Sequence, residues 1–187
     1  MTNNLQQTRV AFLVANGFEQ VELTSPKQAV EQQGGQTAIV SPADGQVQGF
    51  NHFQRADQFD VDLSLDEAQP EKFDALVLPG GAWNPDQLRS DEQALDFVRH
   101  FFEENKLVAV ICHGPWTLVN AGVLPGRRLT SWPSIELDLR NAGAAWVDQQ
   151  VVEDDNFISS RKPDDLPAFN ETLLRSLAQQ FIQSSSE

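Results

Sequence analysis

Three short runs, Val10 to Ala15, Ala75 to Leu78 and Leu107 to Ile111, are apolar at every position rather than at every second one. A strand with one face in water alternates; a strand without alternation is buried on both faces and needs a layer of structure above and below its sheet. The segments between the runs supply such layers. Ser25-Pro26 reads as an N-cap and first-turn proline for a helix that runs toward Gln33 and closes at Gly34-Gly35. Thr37 to Val40 then makes a further strand. From about Asp91 to Asn105, Ala94, Leu95, Phe97, Val98, Phe101 and Phe102 recur at helical spacing, which predicts an amphipathic helix leading straight into Leu107. Strand and helix in alternation predict an α/β fold with an open, mostly parallel sheet covered on both faces, whose ligands bind at the carboxyl ends of the strands.

The interval from Gly45 to Leu65 is polar, turn-rich and partly alternating, and reads as a hairpin or edge excursion. Val147, Val151-Val152 and Phe157-Ile158 read as short strands, and Leu166 to Ile182 as a closing helix with Leu173, Leu174, Leu177 and Phe181 inward. With 187 residues and no linker, repeat or low-complexity tract, the chain is expected to form one domain over 1–187, with flexible ends at about 1–8 and 184–187.

Charge narrows the classes of partner. Thirteen Lys+Arg against 27 Asp+Glu leave a formal charge of −14, so neither nucleic acid nor an anionic membrane surface is an expected partner. One cysteine cannot close an intramolecular disulfide, and few His make a Cys/His zinc cage hard to assemble, which suits a reduced, cytoplasmic setting with no metal or other cofactor. The opening MTNNLQQTR lacks the basic start and apolar stretch of an export signal, and no apolar run approaches a membrane span.

Three places can carry chemistry. Leu107 to Ile111 ends at Cys112-His113-Gly114-Pro115-Trp116, a strand, a polar pair, a small-residue turn and a new helix. Such an elbow sets a side chain under a helix N-terminus, where N–H groups stabilise a thiolate; a buried structural cysteine is the plain alternative. Leu78-Pro79-Gly80-Gly81 ends another strand, and the N–H groups of Gly81 and His113 would form an oxyanion hole if the two strand ends are neighbours; an ordinary tight turn is the alternative. Gly17 to Glu22 follows the first strand and offers two acids. Glu19 lies nearer the strand and Glu22 falls in the helical segment that follows, and either can instead serve only to solvate a helix start. His52 and His100 read as surface residues and Trp132 as core or pocket wall.

Taken together, AFLVANGFEQVEL, FDALVLPGG, NPDQLR, VAVICHGPW, AGVLPGRRLTSWPSI, NAGAAWVD and SSRKPDDLPAF resemble the PfpI-type intracellular peptidase branch of the ThiJ/PfpI superfamily, from about Val10 to Phe169. The parkinsonism-associated deglycase is a more distant relative. The resemblance implies a flavodoxin-like three-layer sandwich, similar to class I glutamine amidotransferases, and homodimers that in some members assemble further into hexamers. It assigns the nucleophile to Cys112, the adjacent base to His113, the acid hydrogen-bonded to sulfur to Glu19 and the oxyanion amides to Gly81 and His113. A Glu that orients the His from a neighbouring subunit falls, after about one inserted residue, on Asp86, one methylene shorter.

The function expected from this is a stress-associated, cysteine-dependent hydrolase acting on a peptide or a small carbonyl substrate, as peptidase, deglycase or glyoxalase. Its rival is a redox sensor or holdase that works through oxidation of Cys112.

Overall fold

The structure is a computed structural model that describes residues 5–184, with side chains through residue 180. Expectations about residues 1–4, the Phe181 side chain and residues after 184 lie outside the described residues. Along the chain run β1 (Arg9–Leu13), β2 (Phe18–Glu19), α1 (Gln20–Gln32), β3 (Gln36–Ser41), β4 (Gln46–Asn51), β5 (Gln54–Asp60), β6 (Leu63–Ser64) and β7 (Ala75–Leu78). There follow α2 (Trp83–Leu88), α3 (Glu92–Glu103), β8 (Leu107–Ile111), α4 (Pro115–Ala121), β9 (Arg128–Leu129), α5 (Glu136–Asn141), β10 (Ala145–Trp146), β11 (Val151–Asp154), β12 (Phe157–Ser160) and α6 (Leu166–Ser184).

The three wholly apolar runs are the three middle strands of a seven-stranded sheet in the order β11-β12-β8-β7-β1-β3-β6. Neighbours run parallel except β11, which pairs antiparallel with β12. Their lack of alternation has the predicted cause. Ala11, Leu13, Leu76, Leu78, Val108 and Val110 pack on one side with Phe97 and Phe101 of α3, Leu118 of α4 and Leu139 of α5. Val10, Phe12, Val77, Ala109 and Ile111 pack on the other with Leu23 and Val30 of α1 and Phe169, Leu173 and Leu177 of α6. The result is a flavodoxin-like α/β sandwich of three layers. Fully buried Phe12 shows the scale of this packing, since removing such a ring costs about 3–5 kcal/mol.

The predicted hairpin forms from β4 and β5, which pair antiparallel, while β2 adds to β4 in parallel. This small sheet stands over the carboxyl end of β1. Asp91 caps α3 by accepting the Ala94 N–H at 3.1 Å.

Three details differ from the sequence reading. Helix α1 starts at Gln20 and carries Pro26 inside it, because Glu22, Leu23, Pro26 and Val30 form one buried face whose packing outweighs the hydrogen bond that proline lacks. Leu5 and Thr8, expected within a loose end, are buried, and the Leu5 N–H donates to the Gln33 carbonyl at 3.0 Å. His100 is not a surface residue, for it lies half-buried against Phe101 with Nε2 enclosed and without a partner. Among the described residues no helix is long and apolar enough to cross a membrane.

Candidate active site

Strands β1, β7 and β8 are adjacent, so the turns that follow their carboxyl ends meet. Cys112 directly follows β8 with φ +62°, a left-handed conformation that costs a side-chain-bearing residue energy and is kept where surrounding structure enforces it. Here the Cys112 N–H donates to the Ser160 carbonyl at 3.1 Å and its own carbonyl accepts from Trp132 N–H at 2.9 Å, which pins the corner from both sides. Cys112 as a whole is 7 % exposed. Its sulfur lies 3.2 Å from His113 Nδ1.

The β7 turn closes over this corner. A Cβ at Gly80 would come within 2.6 Å of the Cys112 Cβ and 2.9 Å of the His113 nitrogen, so only glycine permits the approach. At Gly81, φ is +75° and a Cβ would strike the Gly17 carbonyl at 2.5 Å. The consequence is chemical: the N–H groups of Gly81 and His113 both donate toward the Cys112 sulfur and favour its charged form. Asn84, fully buried, locks the turn in place. Its Oδ1 accepts from Ala15 N–H at 2.7 Å, and its Nδ2 donates to the carbonyls of Pro79 and Gly80 at 3.0 and 3.1 Å.

The acid packed beneath the elbow is Glu22. Glu22 is fully buried and its Oε1 accepts from Gly80 N–H at 3.1 Å, while Oε2 is enclosed without a well-formed partner. Its contact with the Cys112 thiol is therefore close but imperfect, enough to pull its pKa partly back down. Burial first, then the neighbouring Glu19, push that pKa up to about 8, so Glu22 holds a proton at neutral pH. Glu19, expected at the sulfur, turns instead toward the hairpin: its carboxylate accepts from His52 N–H at 3.1 Å, and the His52 ring, 76 % exposed, lies 3.7 Å away. Glu19 still raises the thiol pKa through charge, as the last of several causes. The positions explain the exchange. Glu19 is the N-cap of α1, whereas Glu22 points down the buried face of the helix under the elbow.

Opposing influences act on the thiol. Burial above all raises its pKa, against the pull of the two N–H groups, and Glu22 adds to the rise only once its own carboxyl ionises above about pH 8. His113 is shifted down by burial and is a neutral base at neutral pH. The cluster thus sets a buried thiol beside a neutral imidazole and a protonated carboxyl.

Asp86 sits inside α2, its side chain 64 % exposed and 3.3 Å from Arg89 Nε, and it makes no contact with His113 of its own chain. Trp132, 38 % exposed, is pocket wall: its ring stacks on His113 at 5.9 Å. Sequence reading set Glu22 behind Glu19 and missed Asn84 and Trp116, the last of which meets His113 edge-on at 5.3 Å. For Glu22 a signal existed in its i, i+4, i+8 spacing with Pro26 and Val30.

The profile of the DJ-1/PfpI family matches residues 8–176. A deglycase of Pyrococcus horikoshii is 47 % identical over 161 residues, covering 86 % of this chain and 94 % of that protein. A second deglycase, of Pyrococcus furiosus, is 45 % identical over the same length. Among solved structures, DJ-1beta of Drosophila melanogaster superposes with a TM-score of 0.84 at 28 % identity, over 92 % of this chain and 91 % of that one.

Proposed function

This chain belongs to the DJ-1/PfpI family, and we propose that it is a cysteine-dependent hydrolase that removes small dicarbonyl-derived adducts from amines, a deglycase. The observation that carries the reading is the Cys112 elbow, with its sulfur 3.2 Å from His113 Nδ1 and under the N–H groups of Gly81 and His113. In the first step Sγ bonds to a carbonyl carbon, the thiol proton passes to His113 Nδ1, and the carbonyl electron pair moves onto an oxygen held by those two N–H groups. Glu22, protonated, adds no negative charge beneath the sulfur as the thiolate forms.

Adduct and peptide share that step, and access separates them. A sulfur in a residue only 7 % exposed suits an aldehyde or ketone carbon on a thin stem better than an amide flanked by peptide on both sides. The naming of two similar proteins as deglycases supports the same choice. The redox-sensor reading has less support, because the sulfur faces both a base and two oxyanion donors, which oxidation of a thiol does not require.

The same reading includes a homo-oligomer, dimer or hexamer, in the reduced cytoplasm. The imidazole lacks an orienting acid in its own chain among the described residues, and Phe53, Trp83 and Val21, exposed at 101, 65 and 39 %, supply apolar surface for a second copy. Asp86 of the neighbouring subunit is then the acid that reaches His113.

The test is turnover of methylglyoxal-modified N-acetyl-arginine beside an unmodified peptide. The native protein is expected to release the amine from the adduct and leave the peptide intact, with Cys112→Ser slower by about a thousandfold or more. Equal rates for Cys112→Ser, or peptide cleavage without adduct turnover, overturn the reading.

A further inference from the structure

The His113 ring has one hydrogen-bonding neighbour among the described residues, the sulfur it faces. What fixes its ring within the chain is aromatic contact: Trp132 stacked at 22° and Trp116 tilted at 62°. The two walls differ in how they are held. Trp132 is exposed, while Trp116, half-buried on α4, is gripped from two neighbouring helices. It stands three residues past His113 and its backbone N–H donates to the His113 carbonyl at 3.0 Å, which sets the two rings on one side of the turn. Its indole N–H donates to Asp138 Oδ2 of α5 at 2.8 Å. The Arg89 guanidinium, at the end of α2, lies 5.0 Å over its ring.

We infer that Trp116, anchored by Asp138 and Arg89, is the positioning residue that holds the His113 imidazole with Nδ1 on the Cys112 sulfur. The reason an anchor is needed is beside the indole. An open cleft of about 390 Å³, lined by Arg89, Asp138, Val119, Asn120 and Asn141, adjoins Trp116 and leaves the ring room to swing out. The bond to Asp138 is what keeps it from doing so. Once the indole leaves, water reaches His113, the imidazole turns about its side-chain bonds, and the pairing with sulfur becomes one orientation among several. The arrangement also gives Asp86 a second route to the site. Through its 3.3 Å contact with Arg89 it steadies the guanidinium over Trp116 in its own chain.

The inference builds on the reading of Cys112 and His113 as a proton-transfer pair. Because the chain has one cysteine, iodoacetamide consumed by the full-length protein reports Cys112 alone. Alkylation from pH 6 to 10 is read together with the His113 ring nitrogens by NMR. The charged and titratable groups around the ring are Cys112, Glu22 and Glu19 on the sulfur side, and Asp138 and Arg89 behind Trp116.

Asp138→Leu is expected to slow neutral-pH alkylation about three- to tenfold, the worth of one aromatic contact, to move the His113 pKa up toward its ordinary value and to mix its tautomers. Asp138→Asn, which keeps an acceptor for the indole N–H, should stay within about twofold of native. A folded Asp138→Leu with an unchanged alkylation profile or unchanged His113 ring signals overturns the inference. Should that variant fail to fold, Trp116→Phe, which keeps a ring and loses the N–H, is read by the same two measures. Failure of the underlying pair looks different: His113→Ala then alkylates at the native rate, whereas failure of the positioning role leaves His113→Ala slow and Asp138→Leu native.

Discussion

Two carboxyl groups among the described residues are almost wholly removed from water, Glu22 at 0 % and Asp165 at 1 % exposure, and their surroundings are opposite. Asp165 is matched by a guanidinium. Its Oδ2 accepts from the N–H and Nε of Arg161 at 3.0 Å each, and its Oδ1 accepts from the same side chain's terminal nitrogen at 3.0 Å. Glu22 meets one backbone N–H, a thiol and a second acid, and holds its proton up to about pH 8. A buried acid with a cation fastens chain to chain, while one denied a cation keeps its proton and lends it to its neighbour. The second arrangement weakens the fold and is found where the chemistry is.

That contrast can be broken most sharply at Glu22. Between the ordinary carboxyl value of 4.5 and about 8 the folded chain retains a proton that the unfolded chain has released, so this group's contribution to stability falls as pH rises through that window. Glu22→Gln keeps the acceptor for Gly80 N–H and removes the titration. It is expected to stabilise the protein by about 2–4 kcal/mol at pH 8 and by nothing measurable at pH 4, in denaturant melts at both values. Destabilisation at pH 8 would mean that Glu22 is a structural anchor like Asp165.

The companion change has the other sign. Asp165→Ala strips three hydrogen bonds from Arg161 and leaves only Asp148 at 2.8 Å, so a loss of about 1–3 kcal/mol is expected at pH 7. If both variants shift the melt in one direction, the contrast fails. The smallest effect belongs to Glu19. Relieving its charge by Glu19→Gln should raise the Cys112 alkylation rate at neutral pH about twofold, and an acceleration of about tenfold or more would return the principal role to Glu19.

Which acid matters was the part of the site hardest to read from sequence. The β-strand core was plain, because an apolar run such as Leu107 to Ile111 has few ways to be buried, and the elbow at Cys112 follows from a strand meeting Gly114-Pro115. Helix α1 was obscured by Pro26, which marks a helix start when propensity is read locally but here lies inside a helix held by its buried face. Starting the helix late hides the fact that Glu22 belongs to that face. Asn84 and Trp116 were invisible for another reason. Asn84 joins Ala15 to Pro79 and Gly80, and Trp116 joins Asp138 to Arg89, so the role of each exists only once distant segments have met. His100 shows the same limit, a polar residue on α3 whose enclosure depends on what packs over it.

The left-handed backbone at Cys112 has a consequence for how this lineage can change. At φ +62° a side chain costs about 1–2 kcal/mol relative to glycine, so drift unconstrained by chemistry runs downhill toward glycine at this corner. A descendant that kept the sandwich and lost the reaction would find that substitution easy. A side chain retained at position 112 therefore carries historical information: it is a cost that selection on folding alone would have erased.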